Sequence, residues 1–194
     1  DRRRDFLYRK DASDPEPLFY TVSARPPEDR FGRWRGETKQ YRPDLRHGDI
    51  LEFSLRVNPV RTIKDEAGRR KRVDVVMDEK CRARAGTGKN GMPSQAELMR
   101  SGGIKWLESR ASKLGFEFDL DRLLVDGYCI HTFSKNHRPS GKKNRIRFAT
   151  LDFEGVCTVT DPEAMLTTLF QGVGPAKAFG CGLMLVRRCP CSPD

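Results

Sequence analysis

The sequence has six cysteines, but it lacks the C-x2-C pairs from which tetrahedral zinc sites are usually built. The nearest approach is Cys189-Pro190-Cys191, close to the last residue. Cys129 and Cys157 lie within strand-like apolar runs and are predicted to be small core residues. We therefore expect no bound metal and no cofactor, and the cysteine pattern favours a reduced, cytoplasmic protein.

Long apolar runs are also missing from the chain. No segment approaches the ~18–20 apolar residues that a membrane-spanning helix requires, so we expect no membrane partner. Acidic residues are outnumbered by basic ones: the chain has 27 aspartates and glutamates but 37 lysines and arginines, which gives a net charge of +10 at pH 7. With 37% hydrophobic residues among 194, the chain can still bury the core of one large or two small domains. The positive charge favours an anionic partner such as a nucleic acid.

Apolar runs in the first third of the chain predict strands. Phe6–Tyr8 and Leu18–Val22 flank a turn-rich segment and predict a hairpin. Regular alternation of apolar and polar residues over Asp49–Val57 predicts a further strand. The segment between the hairpin and this strand is rich in proline, glycine and arginine. We expect Phe31 and Trp34 to hold that segment against the core.

Residues 61–89 are basic and poor in apolar side chains, and they include the run Arg69-Arg70-Lys71-Arg72. This composition is typical of a solvated linker or of an arm that binds nucleic acid, and both interpretations stay open. A short strand is predicted over Val73–Met77. No structure is predicted for residues 78–93.

Two helices are predicted from their capping signals. A capping box at Ser94 begins the first helix, which runs to residue 114. The pair Gly102-Gly103 is expected to break or kink this helix. Asp161-Pro162 begins the second helix, which ends at Gly172.

With strands over residues 123–133, 145–159 and 183–188, the order of elements from residue 73 onwards is β-α-β-β-α-β. This order is that of the split βαβ, ferredoxin-like fold. We predict an α+β fold of tandem ferredoxin-like domains, the first of which lacks its first strand and helix. The predicted units are an N-terminal domain (residues 1–63), a basic linker or insertion with a short strand (64–93) and a C-terminal domain (94–194).

A basic loop separates the two central strands of the predicted C-terminal domain. Residues 135–147 contain six lysines and arginines and no acidic residue. Arg145 and Arg147 alternate along a strand and therefore point to the same side, where they form either an ordinary polar face or a phosphate-binding pair. The loop is predicted to contact RNA phosphates through Lys135, His137, Arg138, Lys142 and Lys143.

Residues 172–182 read GVGPAKAFGCG, which is two Gly-apolar-Gly units around a single lysine. Glycines at this density let a ligand approach the backbone closely, and exposed N–H groups can form an anion-binding concavity. The alternative is a helix-to-strand connection that binds nothing. The candidate RNA-binding residues in this glycine-rich loop are Gly172, Gly174, Lys177, Gly180 and Gly182.

Three stretches together resemble the CRISPR repeat-processing endoribonucleases: Leu55–Ile63, Phe153-Glu154-Gly155 and the glycine-rich loop, which matches the family pattern GhGxxxxxGhG at all four glycines. The resemblance covers most of the chain and implies tandem ferredoxin-like domains that bind a hairpin of CRISPR repeat RNA. It also implies a metal-independent cut at the base of that hairpin, in which a ribose 2′-OH attacks the adjacent phosphate. The enzyme then stays on its product as a Cascade subunit, next to the backbone subunit at the 3′ end of the crRNA.

In this family the general acid and base are a histidine, often with a tyrosine, in the first strand-to-helix region. That region is expected upstream of Asp1, so neither role is assigned here, and this chain alone is expected to bind RNA weakly and cut poorly. The resemblance implies that Arg145 and Arg147 offset the charge of the transition state. His47 is expected in a surface turn, and His131 is expected to be a hydrogen-bonded core residue.

Two other functions stay open on the sequence. A non-catalytic ferredoxin-like RNA-binding subunit would share the basic loop and the fold. A small-anion enzyme of the acylphosphatase type would use the glycine-rich loop, but it would have no need of so extended a basic surface. An ordinary RNA recognition motif needs aromatic residues on its central strands, and Phe148 and Phe153 do not complete such a motif.

Overall fold

The computed structural model describes residues 5–11, 17–29, 31–87, 91–135 and 144–189. This part of the chain is a mixed α and β structure with a five-stranded sheet and three α-helices. None of the helices in these ranges is both long enough and apolar enough to cross a membrane. In chain order the elements are β1 (Phe6–Lys10), β2 (Phe19–Ser23), β3 (Ile50–Val57), β4 (Val60–Lys64), β5 (Arg70–Asp74), α1 (Val75–Thr87), α2 (Gln95–Leu114), β6 (Phe116–Phe118), β7 (Leu124–Lys135), β8 (Asn144–Val159), α3 (Pro162–Gln171), a 3₁₀ helix (Lys177–Phe179) and β9 (Met184–Arg188).

The five-stranded sheet is built around β3, which confirms the strand predicted over Asp49–Val57. β3 pairs antiparallel with β8 on one side and with β9 on the other, and β6 and β7 pair with the far edge of β8. α2 and α3 cover one face of this sheet and contribute the fully buried Leu107 and Met165 to the core. Because side chains alternate along a strand, the same face buries every second residue of β3, namely Leu51, Phe53, Leu55 and Val57.

The segment after β3 forms a hairpin and a helix, and the strand predicted over Val73–Met77 is wrong. β4 and β5 pair in a separate two-stranded sheet, and α1 starts directly after β5. The backbone N–H of Met77 donates a hydrogen bond of 2.9 Å to Asp74 Oδ1, so Asp74 caps the helix. Val75 and Val76 are buried in the core. Residues 61–87 are therefore an ordered hairpin and helix, of which the sequence predicted only a short strand.

The first strand of the β-α-β-β-α-β order was predicted at residues 73–77. In the structure β3 holds that position. The strands lie in the order β9, β3, β8 and then β7 or β6. Residues 50–57, placed by the sequence in an N-terminal domain, are thus central to the sheet of the C-terminal strands.

α2 is one continuous helix with the predicted caps at both ends. Ser94 Oγ accepts a hydrogen bond of 3.2 Å from the N–H of Glu97, and the Glu97 carboxylate accepts one of 2.7 Å from the N–H of Ser94. The predicted break at Gly102-Gly103 is wrong, because one helix spans Gln95–Leu114 and both glycines are buried where it packs closely on its neighbours. A Cβ on Gly102 would lie 3.1 Å from the carbonyl oxygen of Val75 in α1. These glycines serve packing, and the helix passes through them unbroken.

The predicted N-terminal hairpin is confirmed, since β1 and β2 pair antiparallel. It contacts the glycine-rich loop, because Tyr8 Oη donates a hydrogen bond of 2.9 Å to the carbonyl oxygen of Ala178. Phe31 and Trp34 were expected to hold the segment between β2 and β3 against the core. That prediction is wrong, because their side chains are 81% and 64% exposed. Trp34 packs edge-on against Phe19 of β2 instead.

Candidate nucleic-acid interface

β7 and β8 form a ribbon that carries three of the predicted site residues, Lys135, Arg145 and Arg147. β3 pairs with residues 151–158 of β8, so residues 144–150 pair with β7 alone. Lys135 ends β7 and pairs with Asn144, but its side chain lies outside the described atoms. The predicted contacts at four further positions fall on residues 136–143, which are not among the described residues. These positions are His137, Arg138, Lys142 and Lys143.

Arg145 and Arg147 lie on the side of the ribbon that continues the helix-covered face. Arg147 pairs with Thr132 and Arg145 with Ser134, and alternation along β8 places both arginines on the side of Leu151. Leu151 is fully buried and packs near α2. Both arginines are exposed, and within the described part of the chain neither forms an ion pair. The prediction that the two side chains share a face is confirmed, and their catalytic role stays a prediction.

The opposite side of the ribbon carries four rings that we call the aromatic cluster: His131, Phe133, Phe148 and Phe179. His131 and Phe148 are cross-strand partners with ring centroids 5.1 Å apart. Phe179 comes from the glycine-rich loop and lies 4.8 Å from Phe148 and 5.9 Å from Phe133. The ring planes of Phe133 and Phe179 differ by only 6°. The aromatic cluster and the arginine pair therefore occupy opposite faces of one ribbon.

The histidines of the described chain are placed as follows. His131 shares a hydrogen bond of 3.0 Å between Nε2 and Thr150 Oγ1, so its polar atom is satisfied as expected. Its ring, however, lies in the half-exposed aromatic cluster and not in the core, so that part of the prediction is wrong. His47 is exposed in a turn before β3, which confirms its predicted place.

The glycine-rich loop closes on itself through backbone contacts. All four candidate glycines have positive φ, between 72° and 93°. The N–H of Val173 donates a hydrogen bond of 2.8 Å to the carbonyl oxygen of Gly182, and the N–H of Gly182 donates one of 2.7 Å to the carbonyl oxygen of Arg56. A Cβ on Gly182 would lie only 2.6 Å from the carbonyl oxygen of Val173. Glycine is therefore required there for the close approach of two backbone segments.

Lys177 is directed at the end of α3. Its Nζ donates a hydrogen bond of 2.5 Å to the carbonyl oxygen of Gln171, the last residue of that helix. Burial lowers the pKa of Lys177. Two residues further on, Phe179 joins the aromatic cluster. The loop thus presents a phenyl ring to the open side of the ribbon, while its lysine caps a helix.

A half-buried group of charged residues lies beside the aromatic cluster on the same side of the sheet. Arg56 donates two hydrogen bonds of 2.7 Å to the carboxylate of Asp152, its cross-strand partner. Hydrogen bonding to Asp152 raises the pKa of Arg56. Burial lowers the pKa of Arg9 in β1, and the negative charge of Asp152 acts in the opposite direction. Asp152 therefore joins β8 to β3 through an ion pair, and its charge also acts on Arg9 of the N-terminal hairpin.

Sequence reasoning missed the aromatic cluster. The signal that could have found half of it is the alternation of His131 and Phe133 along a predicted strand. Phe179 gave no such signal, because only the fold brings the loop to β7 and β8. In the ranges that the structure describes, no three His, Cys, Asp or Glu side chains are grouped so that they could hold a metal ion.

Comparison with known proteins now identifies the class to which this fold and surface belong. A sequence model of the family described as CRISPR associated protein matches residues 1–188. The match spans nearly the whole chain, and the chain belongs to this family.

Individual relatives narrow the comparison. The CRISPR system Cascade subunit CasE of Escherichia coli (strain K12) is 32% identical over 187 residues, which cover 95% of this chain and 82% of CasE. The CRISPR-associated endoribonuclease Cse3 of Thermus thermophilus is 32% identical over 155 residues, which cover 76% of this chain but only 60% of Cse3. A solved structure of Thermus thermophilus Cse3, bound to an RNA representing a pre-cleavage complex, is also similar. It matches with a TM-score of 0.62 and 25% identity over 94% of this chain and 78% of that one.

Proposed function

We propose that this protein is an endoribonuclease that matures CRISPR RNA. It binds the repeat stem-loop of the precursor, cuts at the base of the stem and remains on the product as a subunit of the cytoplasmic Cascade complex. The observation that carries the proposal is the 32% identity with CasE over 95% of the chain. The relative Cse3 is named an endoribonuclease, and its solved structure contains RNA.

The fold on which we base this function is a tandem of ferredoxin-like domains. β3, α2, β7, β8, α3 and β9 follow the β-α-β-β-α-β order, and their strand order in the sheet supports one such unit. We assign β1 and β2 to a second, incomplete unit. The hydrogen bond from Tyr8 Oη to the carbonyl oxygen of Ala178 supports a junction between the two.

RNA binding is assigned to the basic end of the ribbon and to the glycine-rich loop. Six lysines and arginines between residues 135 and 147 form a concentrated positive charge that a stem of RNA phosphates would neutralise. The deep major groove of A-form RNA is closed to most side chains, but a hairpin tip can enter it at the end of a stem. The loop glycines hold backbone segments close together beside this surface.

The chemistry that we propose is attack of a ribose 2′-OH on the adjacent phosphate without a metal ion. The 2′-oxygen forms a bond to phosphorus, the 5′-oxygen of the next nucleotide leaves with a proton, and the products are a cyclic phosphate and a free 5′-OH. The transition state gains negative charge on the phosphate oxygens, and fixed guanidinium groups can offset that charge. Arg145 and Arg147 are suited to this role, because both are exposed and within the described residues neither is engaged by a carboxylate.

The alternative function is an RNA-binding subunit that does not cut. Both functions predict binding to a repeat hairpin, so the deciding experiment follows the RNA itself. The protein is incubated with an end-labelled repeat hairpin and with a matched hairpin whose stem sequence is inverted. An endoribonuclease converts the first into one product that ends at the base of the stem, whereas a binding subunit shifts the hairpin in a gel and leaves its length unchanged.

A further inference from the structure

We propose that the aromatic cluster is a stacking platform for one nucleobase of the bound RNA. The proposal rests on the proposed function, and it adds a recognition element on the face of the ribbon opposite to the arginines. The occupant is an unpaired nucleotide next to the stem, since bases inside a helical stem are already stacked on one another.

Solvent exposure is the first argument for this platform. Phe133 and Phe179 are 47% and 41% exposed, whereas Phe116 and Phe153 of the same domain are fully buried in the core. The exposed rings are also ordered relative to one another, with planes 6° apart and centroids 5.9 Å apart. Five ring–ring contacts join the four rings, and Phe133 and Phe179 leave part of this aromatic surface open to water.

The positions of the four rings are fixed by the fold. His131 is anchored by its hydrogen bond to Thr150, and Phe148 is its cross-strand neighbour. Phe179 is held by the short 3₁₀ helix, whose preceding residue Ala176 adopts the left-handed region with φ of 63°. The N–H of Phe179 in turn donates a hydrogen bond of 2.8 Å to the carbonyl oxygen of Ala176. A prearranged surface loses little entropy when a planar ligand stacks on it.

Charge selects a nucleic acid over a protein or an apolar ligand as the occupant. The chain carries a net charge of +10, and residues 135–147, which include the end of β7 and the start of β8, contain six lysines and arginines and no acidic residue. Arg147 and Phe148 are consecutive residues that point to opposite sides, so one ribbon offers cations on one face and rings on the other. Proteins that bind single strands combine these two elements, with cations for the backbone and rings for the bases. Stacking of this kind tolerates any base, because every base has a π-face.

The test compares the double variant Phe133→Leu/Phe179→Leu with a control variant, Phe170→Leu. Phe170 is 47% exposed and also contacts another ring, that of Tyr41, but it lies on α3 away from the ribbon. Dissociation constants are measured for a repeat hairpin with single-stranded flanks. A second series of RNAs carries one abasic ribose at each flanking position in turn. Leucine keeps an apolar side chain but removes the flat ring.

We expect the double variant to lose at least about fivefold in affinity, and the control to lose less than about twofold. For the unmodified protein, one abasic position should cost a similar factor, and that cost should vanish in the double variant. The slope of log K against log salt should be unchanged, because no phosphate contact is removed.

The abasic series on the unmodified protein does not depend on how any variant folds. If that protein binds the hairpin and no abasic position lowers its affinity, the stacking platform is wrong, while the proposal that the protein binds RNA is retained. The stacking platform is also wrong if the double variant binds RNA with the affinity of the control but binds another protein subunit less tightly. If the unmodified protein binds no RNA, the proposed function fails and the stacking platform fails with it.

Discussion

Gly103 of α2 lies directly against Val125 of β7, so closely that a Cβ on residue 103 would be 2.6 Å from Val125 Cγ1. The same added Cβ would lie 3.1 Å from Leu151 Cδ2 in β8. The absence of a side chain at this position lets the helix approach the sheet that carries the ribbon. The position of β7 and β8 relative to the core therefore depends on this glycine.

Gly103→Ala should destabilise the protein by about 1–2 kcal/mol, although alanine is the better helix former. Overpacking against a stiff valine costs about 1–3 kcal/mol, which exceeds the ~1 kcal/mol that alanine gains in a helix. Gly86→Ala in α1 is the matched control, because nothing lies within 4 Å of the added Cβ. Urea denaturation should show Gly86→Ala to be neutral or slightly stabilising. Equal stability of the two variants would mean that α2 does not pack as described.

Lys177→Met should lower the free energy of unfolding by about 1 kcal/mol, since it leaves the Gln171 carbonyl without its donor and removes a cation from the end of α3. Lys113→Met, which removes an exposed lysine from the last turn of α2, should cost less than about 0.5 kcal/mol.

The sequence also predicts an RNA contact for Lys177. If its ammonium binds a phosphate, the salt slope of RNA binding should fall by roughly one in Lys177→Met. An unchanged slope together with lost stability would leave Lys177 a helix-capping residue only.

Cys181 should make the protein less stable at alkaline pH. Burial raises the pKa of its thiol from 9.0 to about 11. Below pH 9 the folded and unfolded chains both keep this proton, but between pH 9 and 11 only the unfolded chain releases it, which favours unfolding. In Cys181→Ala the decline of unfolding free energy over this interval should be shallower by up to about 1.4 kcal/mol per pH unit. Cys81→Ala, which removes an exposed thiol, should decline as the unmodified protein does.

Arg145→Ala combined with Arg147→Ala should slow RNA cleavage more than it weakens RNA binding. Loss of fixed cations that act on the transition state should reduce the single-turnover rate at saturating RNA on the order of 100-fold. The dissociation constant should change by less than about tenfold. The control is Arg46→Ala with Arg122→Ala, which removes two exposed arginines that lie outside β7 and β8 and should change neither rate nor affinity by more than about twofold. Equal losses in rate and affinity would assign Arg145 and Arg147 to anchoring alone.

Local signals in the sequence were sufficient to predict the capped helices. Ser94 with Glu97 begins α2, and Asp161 Oδ1 accepts hydrogen bonds from the first turn of α3 at 3.0 Å, as the Asp-Pro pair indicates. A capping residue acts within three or four positions of itself, so its effect can be read without knowing the fold. The alternation of apolar and polar residues along β3 could also be recognised from the sequence, because the strand has one buried face.

Features that depend on distant contacts could not be predicted in this way. The large apolar residues of α1 are confined to its first turn, and the helix is held to α2 by the burial of Val75 and by an ion pair of 2.9 Å between Glu79 and Lys105. The pairing of β3 with β8 and β9 likewise joins segments far apart in the chain. Cys129 illustrates the same limit, since it lies in an apolar run but is exposed, whereas Cys157 is buried as expected.

The central claim of this account is cleavage by attack of a ribose 2′-OH without a metal ion. The most direct measurement uses two repeat hairpins that differ only by a 2′-deoxy substitution at the nucleotide before the cut, incubated with the full-length protein in excess EDTA. We predict one product with a cyclic phosphate end from the all-ribose hairpin and no product from the deoxy hairpin, although both bind equally. Cleavage of the deoxy hairpin, or cleavage that appears only when a divalent metal is restored, would contradict the account.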